Sequence, residues 1–494
     1  MPRRDRRTFI KQAGATLAAT AVTSTASSAS VLTRPKKNVL FFAVDDLRTS
    51  LGCFGDRYAI TPNIDALARQ GTLFTRAYCQ QAVCSPSRQS LLTGLRPDSI
   101  KVWDLKTHFR HTSPGVVSLP EHFKNNGYFT QSIGKIFHGE PPMADPPSWS
   151  VPETFEYTPK RDDYILEKNH TERTAQKADV DEFVDNADDA YPDGKVAAAA
   201  VDALSKLSKE KSPFFLAVGM RKPHLPFTAP KRYWEMFEGR PVPPIQRKDP
   251  PEGAPELALH DSTELRGYIG IPAKGVIPDE EVQRLRRGYY AAMTYTDAQI
   301  GRVLRALEKD GLHRNTDIVL WADHGFHLGE HGLWCKTTNY ESDTHVPLIF
   351  VDADRRGQTA RCEAVVELLD IFPTLCDMCR LPKPEGLEGK SLIPWLENAA
   401  YPSASTALSQ FPRPWFYREQ PEYMGYSVRT KSYRYVEWRR FETGTIEFRE
   451  LYDMRLEQGF ERSNLASDPT QRDLIESLSL QLPKGKSHRS QRNT

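Results

Sequence analysis

The sequence predicts an α/β sandwich, with a mostly parallel central sheet between helices and a smaller C-terminal antiparallel sheet carrying one helix. Short apolar runs recur up to Val351, amphipathic stretches separate them, and after Trp395 the pattern turns to alternating polar and apolar residues. The first run, residues 38–44 (Asn-Val-Leu-Phe-Phe-Ala-Val), is apolar throughout and ends in two aspartates. That suits a strand buried on both faces of a parallel sheet. Thr61-Pro62-Asn63 then opens a helix through Gln70, closed by Gly71. Pro86 fits the first turn of a further helix running through Leu92, with Gly94 beyond it. Buried strands of the same kind are expected at 213–219, 316–322 and 346–351, and the longest amphipathic helix at about 281–310. Strands alternating with helices argue for the parallel sheet.

Two segments lack periodicity. Residues 140–193 are rich in Pro, Asp, Glu and aromatics and read as a long insertion near the mouth of a site. Residues 239–280 are similarly irregular and Pro-rich. Further on, residues 426–438 alternate, 448–453 give another short strand, and a helix follows at about 470–480. The expected organisation is an N-terminal signal at 1–34, a catalytic domain at 35–398, a C-terminal subdomain at 399–483 and a basic, disordered tail at 484–494.

With 39% hydrophobic and 26% charged residues, the 494-residue chain has the composition of a soluble globular protein long enough for two domains. Lys plus Arg number 66 against 64 Asp plus Glu, and the net charge of +2 argues against a nucleic-acid partner. No apolar run reaches the roughly 18 residues of a membrane helix, so no span is expected in the mature chain. Near the N-terminus, Arg6-Arg7-Thr8-Phe9-Ile10-Lys11 resembles the bacterial twin-arginine motif, and small residues follow to about Ser30. This predicts passage through export machinery to the periplasm or exterior. Of seven cysteines at least one must stay unpaired, and Cys84 is the natural exception. Cys376 and Cys379 lie in an apolar helical run without a second ligand pair and read as packing residues.

The most informative string is Cys84-Ser85-Pro86-Ser87-Arg88 with Thr93-Gly94 after it. Residue 84 should sit at a helix N-terminus, where free N–H groups and the dipole favour an anion. The string resembles the type I sulfatase signature, C-x-P-S-R followed by T-G, with every fixed position filled. The resemblance implies a sulfatase (alkaline-phosphatase-like) sandwich. It also implies that a maturing enzyme oxidises Cys84 to formylglycine, whose hydrate is the nucleophile. With twin-arginine export, that oxidation would precede folding and export.

Asp45 and Asp46 end the first strand, and Asp323 and His324 end the strand at 316–322. In open α/β sheets, ligands bind beyond the carboxyl ends of strands. Three carboxylates gathered there call for a cation, and oxygen ligands suit Ca²⁺ or Mg²⁺. Other runs are Gly134-Lys135-Ile136-Phe137-His138, Lys222-Pro223-His224, Asp323-His324-Gly325, Lys336 and Thr344-His345-Val346-Pro347. Together with the Cys84 string they resemble the iduronate-2-sulfatase branch over roughly residues 37–400. Carried over, the resemblance implies one Ca²⁺ held by Asp45, Asp46, Asp323, His324 and modified Cys84. Arg88 is expected to pair with the aldehyde hydrate, and Lys135 and Lys336 to offset sulfate charge. His138 and His224 are expected to shuttle protons.

The expected activity is calcium-dependent hydrolysis of a sulfate ester on a sulfated sugar, most like a 2-O-sulfated uronic acid. Alternatives are a phosphate or phosphonate monoester hydrolase, a choline or aryl sulfatase, and an inactive sugar-binding protein. Phe326 is expected to pack on the sugar, and His327 to add an imidazole to the sugar pocket.

Overall fold

The computed structural model describes residues 36–139, 142–155, 163–170, 178–402, 404–455 and 460–484. The expected signal, most of the tail and parts of the insertion lie outside the described residues. The described residues from Lys37 onward form one compact unit.

Its centre is a seven-stranded sheet. In chain order the strands are β1 (Asn38–Val44), β2 (Thr72–Tyr78), β3 (Phe129–Gly134), β4 (Phe214–Met220), β5 (Thr316–Ala322), β6 (His345–Val351) and β7 (Ala360–Glu367). They lie in the order β7-β2-β6-β5-β1-β4-β3. Only β6 runs antiparallel to its neighbours; β1 pairs in parallel with β4 and β5, β3 with β4, and β7 with β2. Every residue of β1, β4 and β5 is buried, as their unbroken apolar runs require. β2, β3 and β7 were not foreseen. Their Thr, Arg, Gln and Glu residues break the apolar run, and β3 and β7 are edge strands, β3 with half-buried positions and β7 with exposed ones.

Helices cover both faces. On one lie α1 (Pro62–Ala68), α4 (Pro192–Leu207) and the long α5 (Asp279–Lys309). On the other lie α2 (Cys84–Thr93), α3 (Leu119–Asn125) and α6 (Ile371–Met378), where Phe123 of α3 meets Phe215, which in turn packs on Phe41. A capping box between Ser118 and Glu121 starts α3. Cys376 is buried within α6 and Cys379 caps it, and all seven cysteines are free thiols.

The C-terminal sheet has four antiparallel strands in sequential order: β8 (Ala407–Arg413), β9 (Tyr423–Arg429), β10 (Tyr433–Arg440) and β11 (Ile446–Asp453). The alternation expected over 426–438 is a hairpin rather than one strand, with its turn between Arg429 and Tyr433. α7 (Arg472–Ser479) contributes Leu478 to one buried cluster with Tyr426, Val428 and Leu451 of this sheet.

Candidate active site

Five parallel strands deliver their carboxyl ends to one edge of the sheet. β1 ends in Asp45-Asp46, β5 in Asp323-His324, β3 in Lys135, and β4 leads to Lys222 and His224. β2 leads through a short loop to Cys84, the first residue of α2. All ten residues of α2 are buried although most are polar. They are satisfied locally: Ser87 Oγ donates to the Asp323 carbonyl (2.5 Å), and Gln89 Nε2 to Ser85 Oγ (2.7 Å) and the Thr107 carbonyl (2.9 Å). Gly94 ends the helix at φ 69°, where a Cβ would lie 2.5 Å from Leu387. At Gly134 a Cβ would lie 2.1 Å from the Gly219 carbonyl, so the close approach that seats Lys135 requires glycine.

Ligand atoms of Asp45, Cys84, Asp323 and His324 all lie within 4.8 Å of one another, as do those of Asp45, Asp46, Cys84 and His224. His324 Nε2 stands 3.3 Å from Cys84 Sγ and 3.4 Å from Asp46 Oδ1, and its Nδ1 bonds the Gly325 carbonyl (2.9 Å). Asp46 takes φ 60°, a left-handed turn that aspartate tolerates, and its N–H donates to Asp323 Oδ1 (3.1 Å). Three fully buried carboxylates, two imidazoles and residue 84, in two overlapping sets that share Asp45 and Cys84, fit a hard divalent cation.

Protein cations already face these acids. Arg88, fully buried, donates from Nε to Asp323 Oδ2 (2.8 Å) and from Nη2 to Asp45 Oδ1 (3.0 Å). Its Nη1 donates to the carbonyls of Lys135 (2.6 Å) and Ile136 (3.1 Å). The guanidinium therefore acts on the acids and the Lys135 turn. Lys135 Nζ donates to Asp45 Oδ2 (2.5 Å), and Lys336 Nζ to Asp46 Oδ2 (2.9 Å) and Glu264 Oε1 (3.0 Å). Burial opposes ionisation of Asp45, but Lys135 and Arg88 outweigh it and hold its carboxyl well below the usual range. Burial pushes Asp46 up to about 7 against the pull of Lys336. Burial and the nearby lysines hold His138 down at about 3 and His224 well below its ordinary value. Burial and Asp45 push the Cys84 thiol well above its ordinary value, so unmodified it would be a poor nucleophile.

The structure thus brings Asp45, Asp46, Cys84, Arg88, Lys135, His138, His224, Asp323, His324 and Lys336 into one cluster. Two other expectations are corrected. Phe326 is fully buried and stacks on Tyr289 (centroids 5.4 Å apart), and His327 is fully buried with Nδ1 2.6 Å from Asp343 Oδ1. Neither can line a sugar pocket. The chain turns inward directly after His324, because the N–H groups of Gly325 and Phe326 donate to the carbonyls of Asp343 (2.7 Å) and Ser342 (2.8 Å).

The sequence reading missed Glu264. On the short helix Thr263–Arg266, its Oε1 accepts from Lys336 and stands 3.4 Å from His224 Nε2. It also missed Tyr289, whose hydroxyl donates to the Asp46 carbonyl (2.8 Å) and accepts from the Arg48 N–H (2.9 Å). Only the apolar run into α5 could have pointed to Tyr289, and the aperiodic segment around Glu264 gave no signal.

The family model described as Sulfatase matches residues 37–379, and one described as N-sulphoglucosamine sulphohydrolase, C-terminal, matches residues 329–488. Human iduronate 2-sulfatase is 34% identical over 470 residues, covering 81% of this chain and 84% of that protein. Among solved structures, BT4656 in complex with D-glucosamine-2-N,6-O-disulfate superposes with a TM-score of 0.72 at 22% identity, covering 90% of this chain and 96% of that one. The phosphonate monoester hydrolase of Agrobacterium radiobacter superposes with a TM-score of 0.73 at 22% identity, covering 90% and 94%. The chain carries the sulfatase fold and belongs to the sulfatase family of sulfuric ester hydrolases.

Proposed function

We propose that this chain cleaves a sulfate ester from a sulfated sugar, in a calcium-dependent reaction whose nucleophile is formylglycine made from Cys84. The observation that carries the proposal is residue 84 at the buried start of α2, with the ligand atoms of Asp45, Asp323 and His324 within 4.8 Å of its own. Asp45, Asp46, Asp323 and His324 would hold the cation. When bound it would supply Lewis-acid stabilisation of charge on the ester. An aldehyde hydrate at residue 84 would supply the attacking oxygen.

The chain's own residues have separable tasks. Arg88 fixes Asp45 and Asp323 relative to α2. Lys135 and Lys336 are the ammonium groups whose charges act on residue 84, and they suit pairing with sulfate oxygens. The leaving sugar oxygen must gain a proton, which a neighbouring lysine or a histidine relaying it would donate; His138 and His224 are held neutral by burial.

The finer substrate reading is a 2-O-sulfated uronic acid, supported by the 34% identity to human iduronate 2-sulfatase. Lys336 remains the cation suited to an acidic sugar, whereas Phe326 no longer supports that reading. Export by a twin-arginine signal and oxidation by a maturing enzyme belong to the same proposal. No helix among the described residues is long and apolar enough to cross a membrane. Peptide mass spectrometry of active material should find an aldehyde at residue 84, and Cys84→Ala should lose turnover by several orders of magnitude. Active protein carrying an intact Cys84 thiol would overturn the mechanism, and a panel of sulfated saccharides tests the substrate.

A further inference from the structure

The fold alone does not decide between sulfate and phosphate esters, since a phosphonate monoester hydrolase shares it. The two substrates differ in charge: a sulfate monoester carries one negative charge and a phosphate monoester at neutral pH nearly two. The net charge facing the ester is therefore the quantity that can discriminate.

That charge can be counted from the pairs. Asp45, Asp46, Asp323 and Glu264 face Arg88, Lys135 and Lys336, four carboxylates against three cations. Beyond His224, Arg221 and Lys222 pair with Asp163, and Asp193 accepts both of their backbone N–H groups. Arg48 is matched by Glu330. Those outer groups cancel; with all four central carboxylates ionised, as cation ligation requires of the three buried ones, one negative charge is left at the centre, and a divalent cation would make the site positive by one. Of the four central carboxylates, three are fully buried among the candidate cation ligands. Glu264 stands apart: its side chain is 29% exposed, and one oxygen touches both Lys336 and His224.

Resting on the sulfatase reading above, we infer that Glu264 is a specificity-determining residue that tunes the pocket to a monoanionic ester and against a dianionic one. Its carboxylate neutralises part of the Lys336 charge that would otherwise favour the second charge of a phosphate. At about 6 Å and an effective dielectric of about 20, one unit of charge corresponds to roughly a hundredfold in relative affinity. Solvent around a carboxylate exposed to this extent reduces that to about tenfold.

The test compares 4-nitrophenyl sulfate with 4-nitrophenyl phosphate. Glu264→Gln should raise the phosphate-to-sulfate ratio of kcat/KM by about tenfold, while Glu264→Asp, which keeps the charge, should leave the ratio within about twofold. The same shift should appear in calorimetric affinities for the two esters in a Cys84→Ala background, with calcium and after chelation, where no turnover intervenes. Glu264→Ala replaces the Gln variant if the latter fails to fold. An unchanged ratio in the neutral variant, or an equal shift in Glu264→Asp, overturns the inference. A wild type that cleaves the phosphate and not the sulfate overturns the sulfatase reading instead, and the Glu264 ratio remains measurable in it.

Discussion

Replacing Arg88 by Met should destabilise the protein more in chelator than in calcium. The guanidinium is fully buried and binds two fully buried carboxylates, at 2.8 and 3.0 Å, besides two backbone carbonyls. Methionine approximates its volume but leaves Asp323 without that partner, Asp45 with Lys135 alone, and both carbonyls short of a donor. Removing one member of a buried ion pair costs about 3–5 kcal/mol. Each carbonyl left unsatisfied adds about 1–3 kcal/mol, although such terms do not sum simply. A loss of at least about 3–5 kcal/mol is therefore expected in chelator. The variant's site is more negative by one charge, so calcium should stabilise it more than it stabilises the wild type. Arg88→Lys should recover only part of the loss, because one ammonium cannot span both carboxylates in the fork geometry of arginine. Urea unfolding of the three proteins, with excess calcium and with chelator, measures this directly. An Arg88→Met midpoint equal to wild type in chelator would refute the argument that this guanidinium holds the acids in place.

Asp45→Asn or Asp323→Asn should lower both bound calcium, by metal analysis, and turnover; full activity after exhaustive chelation would exclude the metal. Burial pushes the Glu153 carboxyl from 4.5 to about 7, so its contribution to stability is fully present below pH 4.5 and lost as pH rises through about 7. Glu153→Gln should remove that loss, and melting temperatures of variant and wild type should converge or cross between pH 5 and 8. Arg413 donates to the carbonyls of Leu257 (2.6 Å), Ala258 (3.2 Å) and Thr337 (2.8 Å), tying the segment that bears Glu264 to the residue beside Lys336. Arg413→Met should lower kcat several-fold through Lys336, and an unchanged kcat in a folded variant would count against that coupling.

Most of the candidate site's gathering was legible because its residues sit where an apolar strand stops. The runs before Asp45-Asp46 and Asp323-His324 are buried on both faces, so their charged ends had to emerge at one sheet edge. Cys84 was legible for another reason, since Pro86 and Gly94 bracket a helix whatever lies between them. Periodicity was blind to α2 itself, because its polar side chains are buried and satisfied by local hydrogen bonds rather than by an apolar stripe. It was equally blind to Glu264, whose segment is held by Arg413 and by contacts distant in sequence. Phe326 and His327 were misplaced because adjacency to Asp323-His324 was read as proximity to the pocket, while backbone bonds to Ser342 and Asp343 turn them into the core.

The same long-range bonding gives the C-terminal sheet a place in the chemistry. Arg434 of β10 donates to Glu341 (2.5 Å) and to the Asn339 carbonyl (2.6 Å), and Arg429 of β9 donates to Glu341 (2.9 Å). Glu341 also accepts from the Tyr78 hydroxyl at the end of β2 (2.8 Å). Two residues on, Asp343 holds the N–H and hydroxyl of Thr338 as well as His327, and Thr338 lies two residues from Lys336. The loop that presents Lys336 is thus fixed from below by the small sheet, through a buried cluster whose disruption costs several kcal/mol at each unpaired charge. A chain cut before β8 would lose Arg413, Arg429 and Arg434 together. It would leave Glu341 buried with Tyr78 as its remaining partner among these groups. The two sheets are therefore one unit energetically as well as by contact. The ammonium at Lys336 is positioned by residues roughly a hundred positions further along the chain.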